Sequence, residues 1–236
     1  MMDSRSVVVS GDSSGIGLAV RERLLACGCT VIGLSRRGGN SDHSSYHRVR
    51  LDLSKIEAIE PALRRVVATH GDVAALVSNA GQPAFGHLEQ HSATQIRAAI
   101  EINLVSHMVV TRALLPTLKR NAPADVVLMG SEAALEGGKR GTLYCAAKFG
   151  LRGFALALRQ ECASSGVRVT AVHPGMVRTA FFDDLDFGPG DEPEQAMEAD
   201  DVAEVVLGVL SARRGTVIEE VVMRPMTKVV RTRQGL

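Results

Sequence analysis

The stretch SVVVSGDSSGIGLAV, residues 6–20, decides the fold. Its β-branched run 6–10 reads as a strand, and apolar periodicity from 15 to 27 reads as a helix. Between them Gly11, Gly15 and Gly17 permit a tight strand-to-helix turn with close backbone approach. Such a turn leaves the helix N–H groups of Ser13, Ser14, Gly15 and Ile16 free to meet a pyrophosphate. A glycine-rich turn alone is weak, because glycines also mark ordinary turns; its place after the first strand gives it weight. The spacing is GxxxGxG rather than GxGxxG.

Outward from this unit, short β-branched runs alternate with helical patterns, the signature of parallel βαβ units. Strands are predicted at 6–10, 30–35, 47–53, 73–78, 125–130, 167–172 and near 216–223, and helices at 15–27, 56–70, 94–120, 144–164 and 200–212. Near-continuous apolar strands imply a sheet covered on both faces. The segment RRGGNSDHSSY after Ser35 is rich in turn formers, so a loop rather than a helix crosses there. A second irregular stretch, TAFFDDLDFGPGDEPEQ (179–195), reads either as a mobile surface loop or as a substrate loop, placed near 179–198. Without repeats or low-complexity blocks, residues 1–236 read as one domain.

Composition narrows the function. An apolar fraction of 45% and a charged fraction of 22% are those of an ordinary globular chain. Lysine plus arginine number 27 against 26 acids, with no basic run beyond a pair, so neither nucleic acid nor an anionic membrane is an expected partner. The cysteines 27, 29, 145 and 162 form neither a CxxC pair nor a zinc-spaced array, so no metal is expected, and a reducing, cytoplasmic compartment fits. Cys145 reads as a small buried thiol rather than a nucleophile. The opening MMDSRSVVVSGDSSG does not read as a signal peptide, and no apolar stretch is expected to approach the roughly 20 residues that span a bilayer.

The second decisive stretch is TLYCAAKFGL, residues 142–151. An unperturbed phenol, with a pKa of about 10, is a poor acid or base near neutrality. Helical spacing puts Lys148 on the same face as Tyr144, where an ammonium can favour the phenolate. Read alone, the pair is equally an aromatic on the core with a solvated lysine.

Taken together, GxxxGxG, SNAG (78–81), EIN (101–103), Ser131, YCAAK (144–148) and HPGMVRT (173–179) resemble the short-chain dehydrogenase/reductase family, in family order and over about residues 6 to 212. The resemblance implies an α/β fold: a Rossmann-like, doubly wound, mostly parallel seven-stranded sheet flanked by helices on both faces. It implies catalysis by Asn103, Ser131, Tyr144 and Lys148. Tyr144 would exchange a proton with the substrate oxygen, Lys148 would lower the phenol pKa and hold the nicotinamide ribose, Ser131 would hydrogen-bond the substrate oxygen, and Asn103 would hold a relay water. Read without the resemblance, Ser131 is equally a strand-end cap and Asn103 a buried amide.

The cofactor site implied takes in Ser10, Gly11 and the turn to Gly17, with Asn79, Ala80 and Gly81 walling the adenine pocket. Asp52 would meet the adenine amino group beside Leu53; Pro174, Gly175 and Val177 would line the nicotinamide end, and Thr179 would reach the carboxamide. Ser35 stands where NAD-using relatives carry aspartate and is followed by Arg36 and Arg37, so NADP is expected over NAD, since arginine pairs with a 2′-phosphate. Asp12 complicates this, because its carboxylate would repel that phosphate if it faced it.

The expected reaction moves a hydride between nicotinamide and a carbonyl or secondary-alcohol substrate, with Phe181, Phe182 and Phe187 suited to an apolar pocket. The alternatives are a 3-oxoacyl reductase docking a carrier protein through Lys139, Arg140, Arg152 and Arg159, and a non-catalytic dinucleotide-binding regulator. The resemblance implies a homodimer or homotetramer through helices 94–120 and 144–164, the alternative being that their apolar residues face their own sheet.

Overall fold

In the first strand, Val7 and Val9 face one side of the sheet while Val8 faces the other, and all three are fully buried. This is the pattern of a strand with helices on both faces. The computed structural model of the chain describes residues 5–232; the first four residues of the opening segment discussed above lie outside this range.

In chain order the elements are β1 (Ser6–Ser10), α1 (Gly15–Ala26), β2 (Thr30–Ser35), β3 (Tyr46–Arg50), α2 (Ile56–Thr69) and β4 (Val73–Ser78). They continue with α3 (Ala93–Ile100), a π-helical turn (Glu101–Val105), α4 (Ser106–Arg120), β5 (Ala124–Met129), α5 (Thr142–Cys162) and β6 (Val167–Pro174). The chain then forms β7 (Val177–Arg178), β8 (Phe187–Pro189), β9 (Met197–Glu198), α6 (Ala199–Ser211), β10 (Glu220–Met223) and β11 (Val230–Thr232).

Among the described residues, seven strands form one parallel sheet in the order β10-β6-β5-β4-β1-β2-β3. Val8 pairs with Ile32 on one side and Leu76 on the other, so β1 lies at the point where the strand order reverses. A crevice opens there at the carboxyl ends of β1 and β4, the place where doubly wound sheets bind ligands. One face is covered by α2, α4 and α5 through Leu63, Leu114 and Leu151; the other by α1 and α6 through Val20, Leu24 and Val206.

Strands β1, β2 and β4 fall where the sequence predicts them, and β3 begins one residue earlier and ends at Arg50, where the backbone leaves the sheet. The crossover from β2 to β3 contains no helix, as the turn formers there imply. Three expectations change. The 94–120 helix is not regular throughout but carries a π turn around Asn103, whose amide donates to the Ala99 carbonyl at 3.1 Å. The segment from Thr179, which reads as a mobile surface loop or a substrate loop, is tied by short strands: β8 pairs antiparallel with β11, and β9 pairs with β7. Contrary to the expected absence of any span-length apolar segment, Ala93–Arg120 is, at 28 residues, long and apolar enough by length and composition to cross a bilayer. Here its apolar residues Val110, Leu114 and Leu118 are fully buried against the sheet.

Leu114→Ala, which empties a fully buried site between α4 and the sheet, is expected to lower the unfolding free energy by about 2–5 kcal/mol, read from a urea titration with unchanged slope. A loss no larger than that of a surface substitution would contradict this packing.

Candidate active site

The glycine turn is built by close approach. Gly11 and Gly15 have φ of 71° and 55°, which side chains rarely adopt, and a Cβ on Gly17 would fall 2.2 Å from the Gly11 carbonyl oxygen. Ser10 fixes the turn to the end of β4: its hydroxyl accepts from the N–H groups of Asn79 and Ala80 at 2.9 and 3.1 Å, and the Asn79 amide donates back to the Ser10 carbonyl at 3.2 Å. Helix α1 opens with no side-chain cap on its N–H groups and no acid in its first turn, which suits an anion.

These elements border a cleft of about 1370 Å³ running along the carboxyl ends of the strands. At one end its wall carries Gly11, Ser13, Ser14, Gly15 and Ile16, with Ser35 and Arg36 beyond. Asp52, Leu53, Asn79, Ala80 and Gly81 line the middle. Ser131, Tyr144, Lys148, Pro174, Gly175 and Val177 line the far end, with Thr179. Three sequence-predicted site residues are not on this wall. Ser10 and Gly17 shape the turn from beneath, and Asn103 sits behind Gly81, its side-chain oxygen accepting from the Gln82 N–H at 3.0 Å.

The glycine cradle, the uncapped helix end and the buried Ser35 hydroxyl, without a partner among the described residues, fit a dinucleotide laid along the cleft. Arg36 and Arg37 flank Ser35 on the wall, Asp52 is held by Ser54 through bonds of 3.0 and 2.7 Å, and no helix follows Arg37. Asp12 does not border the cleft; its carboxyl turns the other way, toward Tyr46 and Arg21.

At the far end, Ser131 follows β5 and caps a short 3-10 turn by accepting from the Ala133 N–H at 3.2 Å. Tyr144 and Lys148 lie one helical turn apart in α5, and both are buried, at 8% and 3% exposure. The Lys148 Nζ stands 5.6 Å from the Tyr144 ring centroid and donates to the Met129 carbonyl at 2.9 Å. Burial pushes the Lys148 ammonium down to about 8. Burial likewise holds the Tyr144 phenol well above its ordinary value, and only its hydrogen bond with Ser131 works in the opposite direction. The expectation that Lys148 lowers the phenol pKa is not met, because desolvation dominates and the ammonium is turned to a backbone carbonyl.

Behind the site, His107 is fully buried one turn beyond Asn103, its Nδ1 at 2.8 Å from the Ser78 hydroxyl. Burial, and then the charge on Lys148, pushes its imidazole down to about 3.

Aromatic rings close over Tyr144. Phe85 lies 5.1 Å and Phe181 5.7 Å from its ring centroid, and Phe187 meets Phe85 edge-on at 5.0 Å. Glu132, one residue past Ser131, pairs through Oε1 with Lys228 at 3.0 Å while its other oxygen is buried without a partner among the described residues. Sequence reasoning missed Phe85, Glu132 and Lys228: an isolated phenylalanine in a loop and a basic tail carry no pattern. Of the residues suited to carrier docking, Arg140, Arg152 and Arg159 are already paired with Asp186, Glu220 and Glu219.

A doubly wound sheet with a glycine cradle and a Ser-Tyr-Lys group on one cleft defines a dinucleotide-dependent α/β oxidoreductase. The profile of the short chain dehydrogenase family matches residues 5–187, and the chain belongs to that family. Estradiol 17-beta-dehydrogenase 1 of Rattus norvegicus is 32% identical over 210 residues, covering 83% of this chain but only 60% of the rat protein. An uncharacterized oxidoreductase of Staphylococcus epidermidis is 27% identical over 225 residues, covering 93% of this chain and 96% of its own. The structure of an alcohol dehydrogenase from the archaeon Thermococcus sibiricus, complexed with 5-hydroxy-NADP, superposes with a TM-score of 0.85 at 26% identity, covering 96% and 99% of the two chains.

His107 sets a pH dependence. Unfolded, it titrates near 6.5, so between about 6.5 and about 3 the unfolded chain alone takes up this proton. The stability that its burial withholds from the proton is present above pH 6.5 and lost as pH falls through that window. His70 and His173, also held down by burial, add to the same slope. Denaturant titrations from pH 7 to pH 4 are expected to show a shallower decline for His107→Gln than for the wild type; parallel curves would contradict the assignment.

Proposed function

We propose that this chain is an NADP(H)-dependent oxidoreductase that interconverts a carbonyl compound and its secondary alcohol, with Tyr144 as the general acid/base. The observation that carries the reading is the meeting of Ser131, Tyr144 and Lys148 on the wall of a cleft whose other end is a glycine cradle. NADPH, when bound, supplies the hydride.

The chain's residues supply position and protons. Ser131 donates a hydrogen bond to the substrate oxygen as negative charge develops there. Tyr144, kept protonated by burial, donates its proton to that oxygen in reduction and takes one back in oxidation. Lys148 would hold the nicotinamide ribose of a bound cofactor, and Asn103 holds the segment behind it. Ser35 in place of an acid, with Arg36 and Arg37 beside it, supports the phosphorylated cofactor. The archaeal neighbour, complexed with an NADP analogue, supports the same choice. The ring of Phe85, Phe181 and Phe187 supports a broad apolar substrate, as does the name of the rat relative, an estradiol dehydrogenase. Phe149 and Leu156, 44% and 40% exposed on one side of α5, support assembly with further copies of the chain.

In a screen of apolar ketones with NADPH, Tyr144→Phe is expected to lower turnover by about 10²–10⁴-fold while NADPH still binds, because only the proton donor is lost. Comparable turnover by the variant would contradict the mechanism. Arg36→Ala is expected to weaken NADPH by about tenfold or more, the loss of one charge-assisted bond, with NADH little changed in a fluorescence titration. Equal weakening of both would remove the phosphate contact.

A further inference from the structure

Asp12 lies inside the glycine turn, yet it is fully buried and faces away from the cleft. Its Oδ2 accepts a hydrogen bond from the Tyr46 hydroxyl at 2.5 Å and lies 3.6 Å from the Arg21 guanidinium. Arg21, only 2% exposed, donates to the Asp12 main-chain oxygen at 3.2 Å, to Glu22, and to the Asn40 carbonyl at 3.3 Å, with its Cζ 4.9 Å from the Tyr46 ring centroid. Two glycines enclose this group. A Cβ on Gly33 of β2 would fall 2.0 Å from Asp12 Oδ2, and one on Gly39 would fall 1.9 Å from Arg21 Nη1. The network thus joins the glycine turn, α1, the first residue of β3 and the loop that follows Arg36 and Arg37.

That loop has no helix to hold it, so its position against the turn depends on these contacts. Burial, and then the bond to Asp12, pushes the Tyr46 phenol up to about 12, so it remains a donor at ordinary pH.

We infer that Asp12, Arg21 and Tyr46 are positioning residues for cofactor selectivity: they draw the Asp12 carboxyl away from the cleft and tie down the Arg36–Arg37 loop where a ribose 2′-phosphate is received. The inference rests on the NADP(H) reading and adds to it the device that keeps a carboxylate within the phosphate-binding turn from opposing the phosphate. Removing the Tyr46 hydroxyl loosens both ends, at a cost that falls on the phosphate-bearing cofactor alone.

The test measures NADPH, NADH and 2′,5′-ADP binding to the full chain without substrate, for the wild type, Tyr46→Phe, Asp12→Asn and Arg36→Ala, with thermal melting alongside. Tyr46→Phe and Asp12→Asn are expected to weaken NADPH and 2′,5′-ADP by about three- to tenfold, the range of one lost hydrogen bond, and NADH by less than about twofold. Equal weakening of both dinucleotides with a lowered melting temperature would reduce the network to a structural support and overturn the inference. Unchanged NADPH binding in both variants would overturn it as well. If Arg36→Ala loses NADPH selectively and the two network variants do not, the inference alone falls. If the wild type does not prefer NADPH, the cofactor reading falls and takes the inference with it.

Discussion

The arrangement of the whole molecule depends on one close contact, the approach of α1 to the turn that ends β1. With the Gly17 Cα directly over the Gly11 carbonyl, no side chain fits between them, and the helix start is pressed to the crevice where the strand order reverses. Ser10 and Asn79 lock the same turn to β4 by reciprocal hydrogen bonds. The uncapped helix end and the two central strands therefore share one origin, and the cleft is a consequence of how they meet rather than a separate construction.

At the other end of the cleft, burial sets the chemistry. The same desolvation drives the Lys148 ammonium down and the Tyr144 phenol up, so both groups lean toward their neutral forms. Their proposed work requires the ammonium to favour the phenolate, and here the ammonium donates to the Met129 carbonyl. A bound dinucleotide that excludes water and offers ribose hydroxyls would give Lys148 new partners beside the phenol. The aromatic rings over Tyr144 contribute to the same low-polarity setting.

Much of this was legible in the sequence, for identifiable reasons. Strands such as Val73–Ser78 are buried on both faces, so they are continuous apolar runs bounded by turn formers, and their limits are read directly. Helix α5 announces itself by the spacing of Tyr144 and Lys148, which local geometry alone puts together. What escaped depends on contacts between distant segments. The π turn at Asn103 is one extra residue in a pattern whose period barely changes. Phe85 and Phe187 are far apart along the chain and meet through the tertiary fold, where β8 also pairs with β11. Asp12 looked like a liability for phosphate because nothing local shows that Tyr46, 34 residues on, receives its carboxyl.

The pairing of β8 with β11 also divides the molecule's labour. Ser131, Tyr144 and Lys148 are anchored in α5 and at a strand end, while the rim over them is assembled from the Phe85 loop, the Phe181–Phe187 segment and the stretch carrying Lys228 and Val230. Among the described residues, the rim meets α5 through the contacts of Phe85 and Phe181 with the Tyr144 ring, and Asp186 pairs with Arg140 in the loop just before that helix. On the proposed reading, changes around Lys228 and Val230 would alter which compounds the rim admits while Ser131, Tyr144 and Lys148 keep their places.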